Sequence, residues 1–271
     1  MVTIGIDLAW GNRNSTAAVA LRCDDSGAEY LDHADNLTGN ESIADFVDRC
    51  GGDGIGGGIL IAIDAPTLVP NVSGRRPCEA ILSRCMRTYE AGPHPANRTL
   101  LSDANGNVRG ETLVVLLAER FGIVHSPHLT GDAPRAVFEA FPHPAHIALF
   151  GLAKTLKYKK KPGRDRPFRD AEFRRYAALL ASLASADPPL VLTPESAPWL
   201  WRDPVEFVTE ATLKRHEDLL DALSCAYIAL YHHRWQGERS VVVGDMVSGY
   251  IVTPATEAMK SCFFARTDAV Q

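Results

Sequence analysis

The chain has 271 residues, 46% of them hydrophobic and 23% charged, and its formal net charge is −5 at pH 7. This composition is typical of a globular protein and excludes a disordered chain. Because the chain has no overall positive charge, a polyanion would have to be held by a local basic patch or by metal ions. No uncharged apolar run reaches the roughly 18 residues of a transmembrane helix, so we expect no membrane span.

The cysteines and the beginning of the chain indicate a cellular compartment. Six cysteines are scattered without a C-x-x-C pair, which argues against a structural zinc site. The N-terminus has the pattern of a strand and lacks the basic and apolar regions of a signal peptide. We therefore expect a cytoplasmic protein whose thiols are reduced.

The first 65 residues have the pattern of the start of a mixed sheet. Apolar runs at about 2–9 and 16–23, joined by turn residues at 11–15, predict a hairpin, and a weaker strand is expected at 28–37. A helix follows from residue 40 or 41 to Cys50. The stretch GILIAIDAP then predicts a further strand. The glycines at 51–58 precede this strand, so they do not fit a phosphate-binding loop.

The rest of the chain predicts an α/β domain with inserts. Residues 66–110 form a long excursion, and such excursions are usually functional. No repeat or linker divides the chain, so we predict one domain over 1–271 with a basic loop at about 154–169. The other predicted elements are helices at 78–90, 111–121, 143–150, 168–186 and 216–235, a strand at 135–141, and a closing hairpin at 240–254.

Three carboxylates lie near the C-terminal ends of predicted strands. Alternation places Asp7 on a face of small residues that includes Gly5, where a helix or a ligand can approach closely. Asp64 and Glu139 end two further strands, and open α/β sheets place their sites at this edge. A single buried aspartate is more often a hydrogen-bonded structural residue, but the repetition of the arrangement favours a site.

The helix predicted at 216–235 adds two more carboxylates. Asp218 and Asp221 share a stripe of small apolar residues, which is typical of a packing face. If this stripe faces the sheet, both side chains can approach Asp7 and Asp64. The alternative for Asp218 is a favourable interaction with the N-terminal end of the helix dipole.

Together these carboxylates predict a site for divalent cations. Several carboxylates in one site repel each other unless a cation neutralises them, and all-oxygen ligation is preferred by Mg²⁺ and Mn²⁺. Two such ions about 4 Å apart can clamp the attacking and leaving oxygens of a phosphodiester. We expect Mg²⁺ or Mn²⁺ on Asp7, Asp64, Asp218 and Asp221, with Asp7 bridging two ions. These four residues and Glu139 are the candidate catalytic residues.

The surroundings of Glu139 leave other roles open. Glu139 could pair with Arg135 or with a basic residue of 157–169. His143 and His146 are spaced i, i+3 on a short helix just past Glu139. With Glu139 they could form a metal site, or they could supply a proton. A structural role is favoured for both histidines.

Two groups of basic residues could bind phosphates. The stretch KYKKKPGR at 157–164 stands out in an acidic protein, and its contribution to binding would fall with salt; a solvated loop is the alternative. The excursion after Asp64 contributes arginines, including Arg98. The candidate substrate-binding residues are Arg75, Arg76, Arg84, Arg87, Lys157, Lys159, Lys160, Lys161 and Arg164.

Several motifs resemble those of one family. They are GIDLAWG at Asp7, IAIDAP at Asp64, FEAFPHP at Glu139, EDLLDALSCAY at Asp218 and Asp221, and the closing GYIVTP. Their order and spacing resemble the domain of unknown function 429 family, whose members are described as predicted nucleases with an RNase H-like fold. The resemblance extends from residue 2 to about residue 254.

The resemblance implies a fold and a site. It implies a five-stranded mixed sheet, with the first three strands antiparallel and helices on both faces. It also implies an acid on the first strand, one on the fourth strand and acids on a late helix. The D-x-x-D-A-L from Asp218 is similar to the last catalytic motif of Holliday-junction resolvases. On that match Asp7, Asp64 and either Asp218 or Asp221 bind metal, although those enzymes usually have a glutamate where Asp64 stands.

The leading prediction is therefore a Mg²⁺- or Mn²⁺-dependent phosphodiesterase that acts on DNA or RNA. A non-catalytic RNase H-like module that binds nucleic acid or a protein is the alternative, and metal titration separates the two. An actin-like, ATP-dependent phosphotransferase is less favoured, because such proteins need two copies of the fold and no repeat is visible. The sequence leaves a homodimer open.

Overall fold

The computed structural model describes residues 1–11, 15–51, 57–131 and 133–265. The predicted turn at 11–15 and the glycine-rich stretch at 51–58 fall largely on residues outside these ranges. Within the described residues, nine strands form one sheet of seven strands and one of two. They are β1 (Val2–Asp7), β2 (Thr16–Asp24), β3 (Gly27–Leu37), β4 (Ile59–Ile63), β5 (Val124–His125), β6 (Arg135–Glu139), β7 (Leu190–Val191), β8 (Ser240–Asp245) and β9 (Gly249–Pro254).

The large sheet is mixed, with the strand order β5-β6-β4-β1-β2-β3-β7. The first three strands pair antiparallel, whereas β4 runs parallel to both β1 and β6. The mixed sheet and the closing β8–β9 hairpin are confirmed. The predicted count of five strands is wrong for the described residues, because β5 and β7 add a two-residue strand at each edge of the large sheet. A two-residue strand is too short for an alternating pattern to reveal it.

Eight α-helices lie in the described ranges. They are α1 (Gly39–Gly51), α2 (Pro77–Cys85), α3 (Arg98–Leu101), α4 (Arg109–Phe121), α5 (Pro142–Phe150), α6 (Arg166–Ser182), α7 (Glu210–Trp235) and α8 (Glu257–Phe263). Helix α7 begins before the predicted residue 216, because the Thr209 side chain caps it and accepts a hydrogen bond from Thr212 N. Helix α2 ends before the predicted residue 90. None of the described helices is long and apolar enough to cross a membrane.

Helices cover both faces of the large sheet. On one face, Ile4 of β1 packs in a cluster with Phe46 of α1 and Leu113 of α4. On the other face, α7 crosses β1 so closely that a Cβ atom at Gly5 would lie 1.9 Å from the Ala222 carbonyl oxygen. The small-residue face predicted for β1 therefore serves as the packing surface for α7.

A disulfide joins α2 to α8. Cys85 and Cys262 form it across a sequence separation of 177 residues, and the other four cysteines are buried and free. The expectation that all thiols are reduced is therefore wrong for this pair. Sequence spacing could not show the pairing, because the fold alone brings the C-terminal helix against α2.

Candidate functional site

A pocket of about 730 Å³ opens beside the C-terminal ends of β1, β4 and β6 and the first turns of α7. Its acidic lining residues are Asp7, Asp64, Glu79, Glu90, Glu139 and Asp218. Its basic lining residues are Arg76, Lys159, Lys161, Arg164, Lys214 and Arg215. The pocket thus combines carboxylates from the strand ends with basic side chains from the loop at 154–169 and from α7.

Asp7 and Asp64 are neighbours at the ends of adjacent parallel strands. Ile6 pairs with Ile63 in the β1–β4 ladder, and the Asp64 backbone N–H donates to the Ile6 carbonyl at 2.8 Å. Among the described residues, no basic side chain forms an ion pair with either carboxylate; the nearby lysines pair with Asp221 and Asp218 instead. These two side chains are the unpaired acids of the pocket.

Crowding and burial shift the pKa values of these carboxyl groups upward. Burial, followed by the charges of Asp218, Asp221 and Asp64, raises the pKa of Asp7 well above its ordinary value. Burial also raises the pKa of Asp64 to about 7, against the opposing effect of Lys159. Both groups would be stabilised in the charged form by a cation placed between them.

Asp218 faces the pocket from the first half of α7. It is buried, it pairs with Lys214 one turn earlier, and its carboxyl group interacts electrostatically with that of Asp7. Burial raises its pKa, and Lys214 opposes the shift. Lys214 also pairs with Glu217 at 2.8 Å. The i, i+3 and i, i+4 spacings on α7 could have revealed this lysine, which the sequence analysis did not single out.

Asp221 does not line the pocket, although it is one turn from Asp218. It is fully buried, and its Oδ1 accepts hydrogen bonds from the hydroxyls of Tyr158 at 2.6 Å and Tyr176 at 3.0 Å. Its Oδ2 lies 3.0 Å from Lys159 Nζ without hydrogen-bond geometry. Burial alone would raise its pKa, but Lys159 and the neighbouring groups outweigh it and lower the pKa to about 2.

Glu139 forms a buried ion pair with Arg76. Its two carboxylate oxygens accept from the guanidinium at 2.8 and 2.6 Å, and the Thr67 backbone N–H donates to it at 3.0 Å. It therefore pairs with neither Arg135, which donates to a backbone carbonyl, nor the basic loop. Burial raises the pKa of Glu139, and Arg76 opposes that rise. Because Glu139 is held in this buried ion pair, it has a structural role in the wall of the pocket.

Most of the arginines predicted to bind substrate either contact other protein groups or do not line the pocket. The Arg76 side chain is 1% exposed and binds Glu79 as well as Glu139, so its guanidinium is already engaged, and its role in substrate binding stays a prediction. Arg75 contacts Ser83 and the Pro93 carbonyl. Arg84 and Arg87 are exposed and are not among the residues that line the pocket. Arg98 pairs with Glu111.

The basic loop contributes two cations to the rim of the pocket that have no acidic partner among the described residues. Lys161 is exposed and Arg164 is half-buried, and both line the pocket. Arg164 also donates to the Lys159 carbonyl at 3.1 Å, which fixes the path of the loop. The other predicted lysines of the loop have acidic partners: Glu90 for Lys157, Asp221 for Lys159 and Glu210 for Lys160.

The two histidines of α5 differ in position. His146 is buried, and its Nε2 lies 3.0 Å from both Ser224 Oγ and Tyr176 OH; burial lowers its pKa to about 4. His143 lines the pocket, its Nδ1 lies 2.9 Å from Thr155 Oγ1, and burial lowers its pKa well below its ordinary value. Both rings are neutral near pH 7.

The donor set fits one divalent cation by its chemistry. Asp7 and Asp64 are unpaired carboxylates on adjacent strand ends, with Asp218 beside them, and oxygen donors of this kind suit Mg²⁺ or Mn²⁺. As placed, no three His, Cys, Asp or Glu side chains of the described residues are arranged to hold an ion together. Asp218 would therefore have to turn from Lys214 towards the ion.

Comparison with known proteins identifies the family of this chain. No curated protein and no solved structure matches it at a significant level of similarity. A family profile described as "Protein of unknown function (DUF429)" matches residues 5–247, a span that includes every carboxylate of the pocket. The chain therefore belongs to the DUF429 family of proteins of unknown function.

Proposed function

We propose that the pocket catalyses the hydrolysis of phosphodiester bonds in nucleic acid with one or more divalent cations, Mg²⁺ or Mn²⁺. The observation that carries this proposal is the lining of a single pocket. The unpaired carboxylates Asp7 and Asp64 lie in the same cavity as Lys161, Arg164 and Arg215. Carboxylates alone would repel a phosphate, whereas a cation on the carboxylates and basic side chains at the rim would attract one.

Each group has a distinct part in the proposed reaction. Asp7, Asp64 and Asp218 would hold the cation, which supplies Lewis-acid stabilisation of the phosphate and activation of water. Lys161 and Arg164 would bind the non-bridging phosphate oxygens and stabilise the charge that develops on them. The Arg164 guanidinium is held by loop carbonyls, so it is oriented before the substrate arrives.

The topology of the sheet supports an RNase H-like fold for this domain. In the large sheet, the five described strands that have at least five residues lie in the order β6-β4-β1-β2-β3; β1, β2 and β3 pair antiparallel, and β4 pairs parallel with β1 and β6. The antiparallel pairing of the first three strands in a mixed sheet agrees with what the family resemblance implies and supports the proposal. Asp7 at the end of β1, Asp64 after β4 and Asp218 on α7 support the proposal that these acids bind the metal.

Cleavage of labelled oligonucleotides tests the proposal. Single-stranded and duplex DNA and RNA are incubated with the purified protein in Mg²⁺, in Mn²⁺ or in EDTA. We expect cleavage with a divalent cation, none in EDTA, and none above background for Asp7→Asn. Asp48→Asn is the matched control, because Asp48 is an exposed aspartate on α1, on the opposite face of the sheet.

Two outcomes would contradict the proposal. Cleavage by Asp7→Asn at the wild-type rate would exclude the carboxylate site. Binding of oligonucleotides without cleavage, and without dependence on divalent cations, would favour the non-catalytic binding module instead. In either case, replacing Arg164 with alanine shows whether the rim of the pocket contacts phosphates, because a lost contact weakens binding and flattens its salt dependence.

A further inference from the structure

The basic loop inserts one of its lysines into the carboxylate cluster. Lys159 lines the pocket, and its Nζ lies 3.0 Å from Asp221 Oδ2. The side chain is 30% exposed, while that of Asp221 is fully buried. The lysine therefore stands between the buried aspartate and the open part of the pocket.

The loop engages both oxygens of Asp221 through consecutive residues. The Tyr158 hydroxyl donates to Oδ1 at 2.6 Å, and the Lys159 ammonium group lies against Oδ2. The Tyr176 hydroxyl also donates to Oδ1. Since Asp221 is enclosed by these donors and lies outside the pocket lining, it anchors the loop and is not available to an ion in the pocket.

The position of Lys159 gives its charge a second role. Besides Asp221, its ammonium group interacts electrostatically with Asp64 and Asp7, the two unpaired carboxylates of the pocket. The backbone of Lys159 is held in place by Arg164, which donates to its carbonyl at 3.1 Å. A positive charge anchored on Asp221 of α7 thus lines the same pocket as Asp7 and Asp64.

We infer that Lys159 is a permanent cation of the site, held by Asp221 in the place of a second metal ion, so that the pocket takes a single divalent cation on Asp7 and Asp64. This inference rests on the proposed function and replaces the expected pair of bridged ions with one ion and one ammonium group. Asp221 is then a positioning residue for Lys159, and Asp218 is the aspartate of α7 that reaches the ion.

Counting bound Mn²⁺ tests the inference without measuring catalysis. Free Mn²⁺ is followed by electron paramagnetic resonance as it is titrated into wild-type protein, Lys159→Met and Lys159→Arg. We expect one ion per wild-type chain. Removal of the competing charge in Lys159→Met should allow a second ion or tighten the first by about tenfold or more. Lys159→Arg keeps the charge and should bind one ion as the wild type does.

The matched control is Lys160→Met, the exposed neighbour that pairs loosely with Glu210 at 3.6 Å; its Mn²⁺ binding should equal that of the wild type. Circular dichroism checks that each variant is folded. If Lys159→Met is not folded, the number of Mn²⁺ ions bound by the wild type still tests the inference. Two ions on the wild type, or a folded Lys159→Met with one ion and less than a tenfold change, would overturn the inference about Lys159. Absence of Mn²⁺ binding in all variants and in the wild type would overturn the proposed function as well.

Discussion

Replacing Arg76 with methionine should destabilise the protein strongly. The Arg76 side chain is 1% exposed, and its carboxylate partners, Glu79 and Glu139, are 1% and 4% exposed. Its guanidinium donates to both oxygens of Glu139, to Glu79 and to the Leu68 carbonyl. Removing one member of a buried ion pair leaves an uncompensated buried charge, which costs about 3–5 kcal/mol.

The loss should depend on pH. Burial already raises the pKa of Glu139 although Arg76 opposes it, so removing Arg76 raises that pKa further. In the variant, folded Glu139 keeps a proton that the unfolded chain releases above a pKa of about 4.3. The folded state then binds more protons than the unfolded state, so stability falls as pH rises. We expect a larger loss at pH 8 than at pH 5.

Urea unfolding at the two pH values measures this effect, with Arg84→Met as the matched control. Arg84 is an exposed arginine on α2, the helix that begins directly after Arg76, and its replacement should change the free energy of unfolding by no more than about 0.5 kcal/mol. The double variant Arg76→Met/Glu139→Gln should recover part of the loss, because it removes one stranded charge. A loss in Arg76→Met below about 1 kcal/mol, or one independent of pH, would refute the reasoning.

Three further predictions follow from the packing, the carboxylates and the disulfide. Gly5→Ala should lower the free energy of unfolding by about 3 kcal/mol or more, because its Cβ would lie 1.9 Å from a backbone oxygen of α7; an unchanged urea midpoint would contradict the close crossing. Without divalent cations, the melting temperature should fall from pH 5 to pH 8, because the raised pKa values of Asp7 and Asp64 make the folded state favour their protonated forms. The fall should be smaller in Asp7→Asn, and an equal fall in this variant and the wild type would refute the prediction. When the chain is denatured without a reducing agent, Ellman's reagent should detect four thiols among the six cysteines, since Cys85 and Cys262 are paired. Detection of six thiols would exclude the disulfide.

Local sequence patterns were sufficient to predict most of the elements and the main carboxylates. The alternation around Gly5 placed Asp7 on a close-packing face, and α7 does cross that face. The stripe of small residues on the late helix predicted that Asp218 approaches the sheet, and Asp218 does line the pocket. These predictions held because strand and helix periodicities depend on neighbouring residues only.

The partners of these groups were decided only by the tertiary structure. Arg76 pairs with Glu139 across 63 residues, Tyr158 donates to Asp221 across 63 residues, and the disulfide spans 177. The sequence determined which residue types stand at the ends of the strands and on one face of the late helix. The loops that fold back over the sheet determined which acids stay unpaired in the pocket. No local sequence pattern shows which basic side chain, distant in the chain, will reach a given carboxylate.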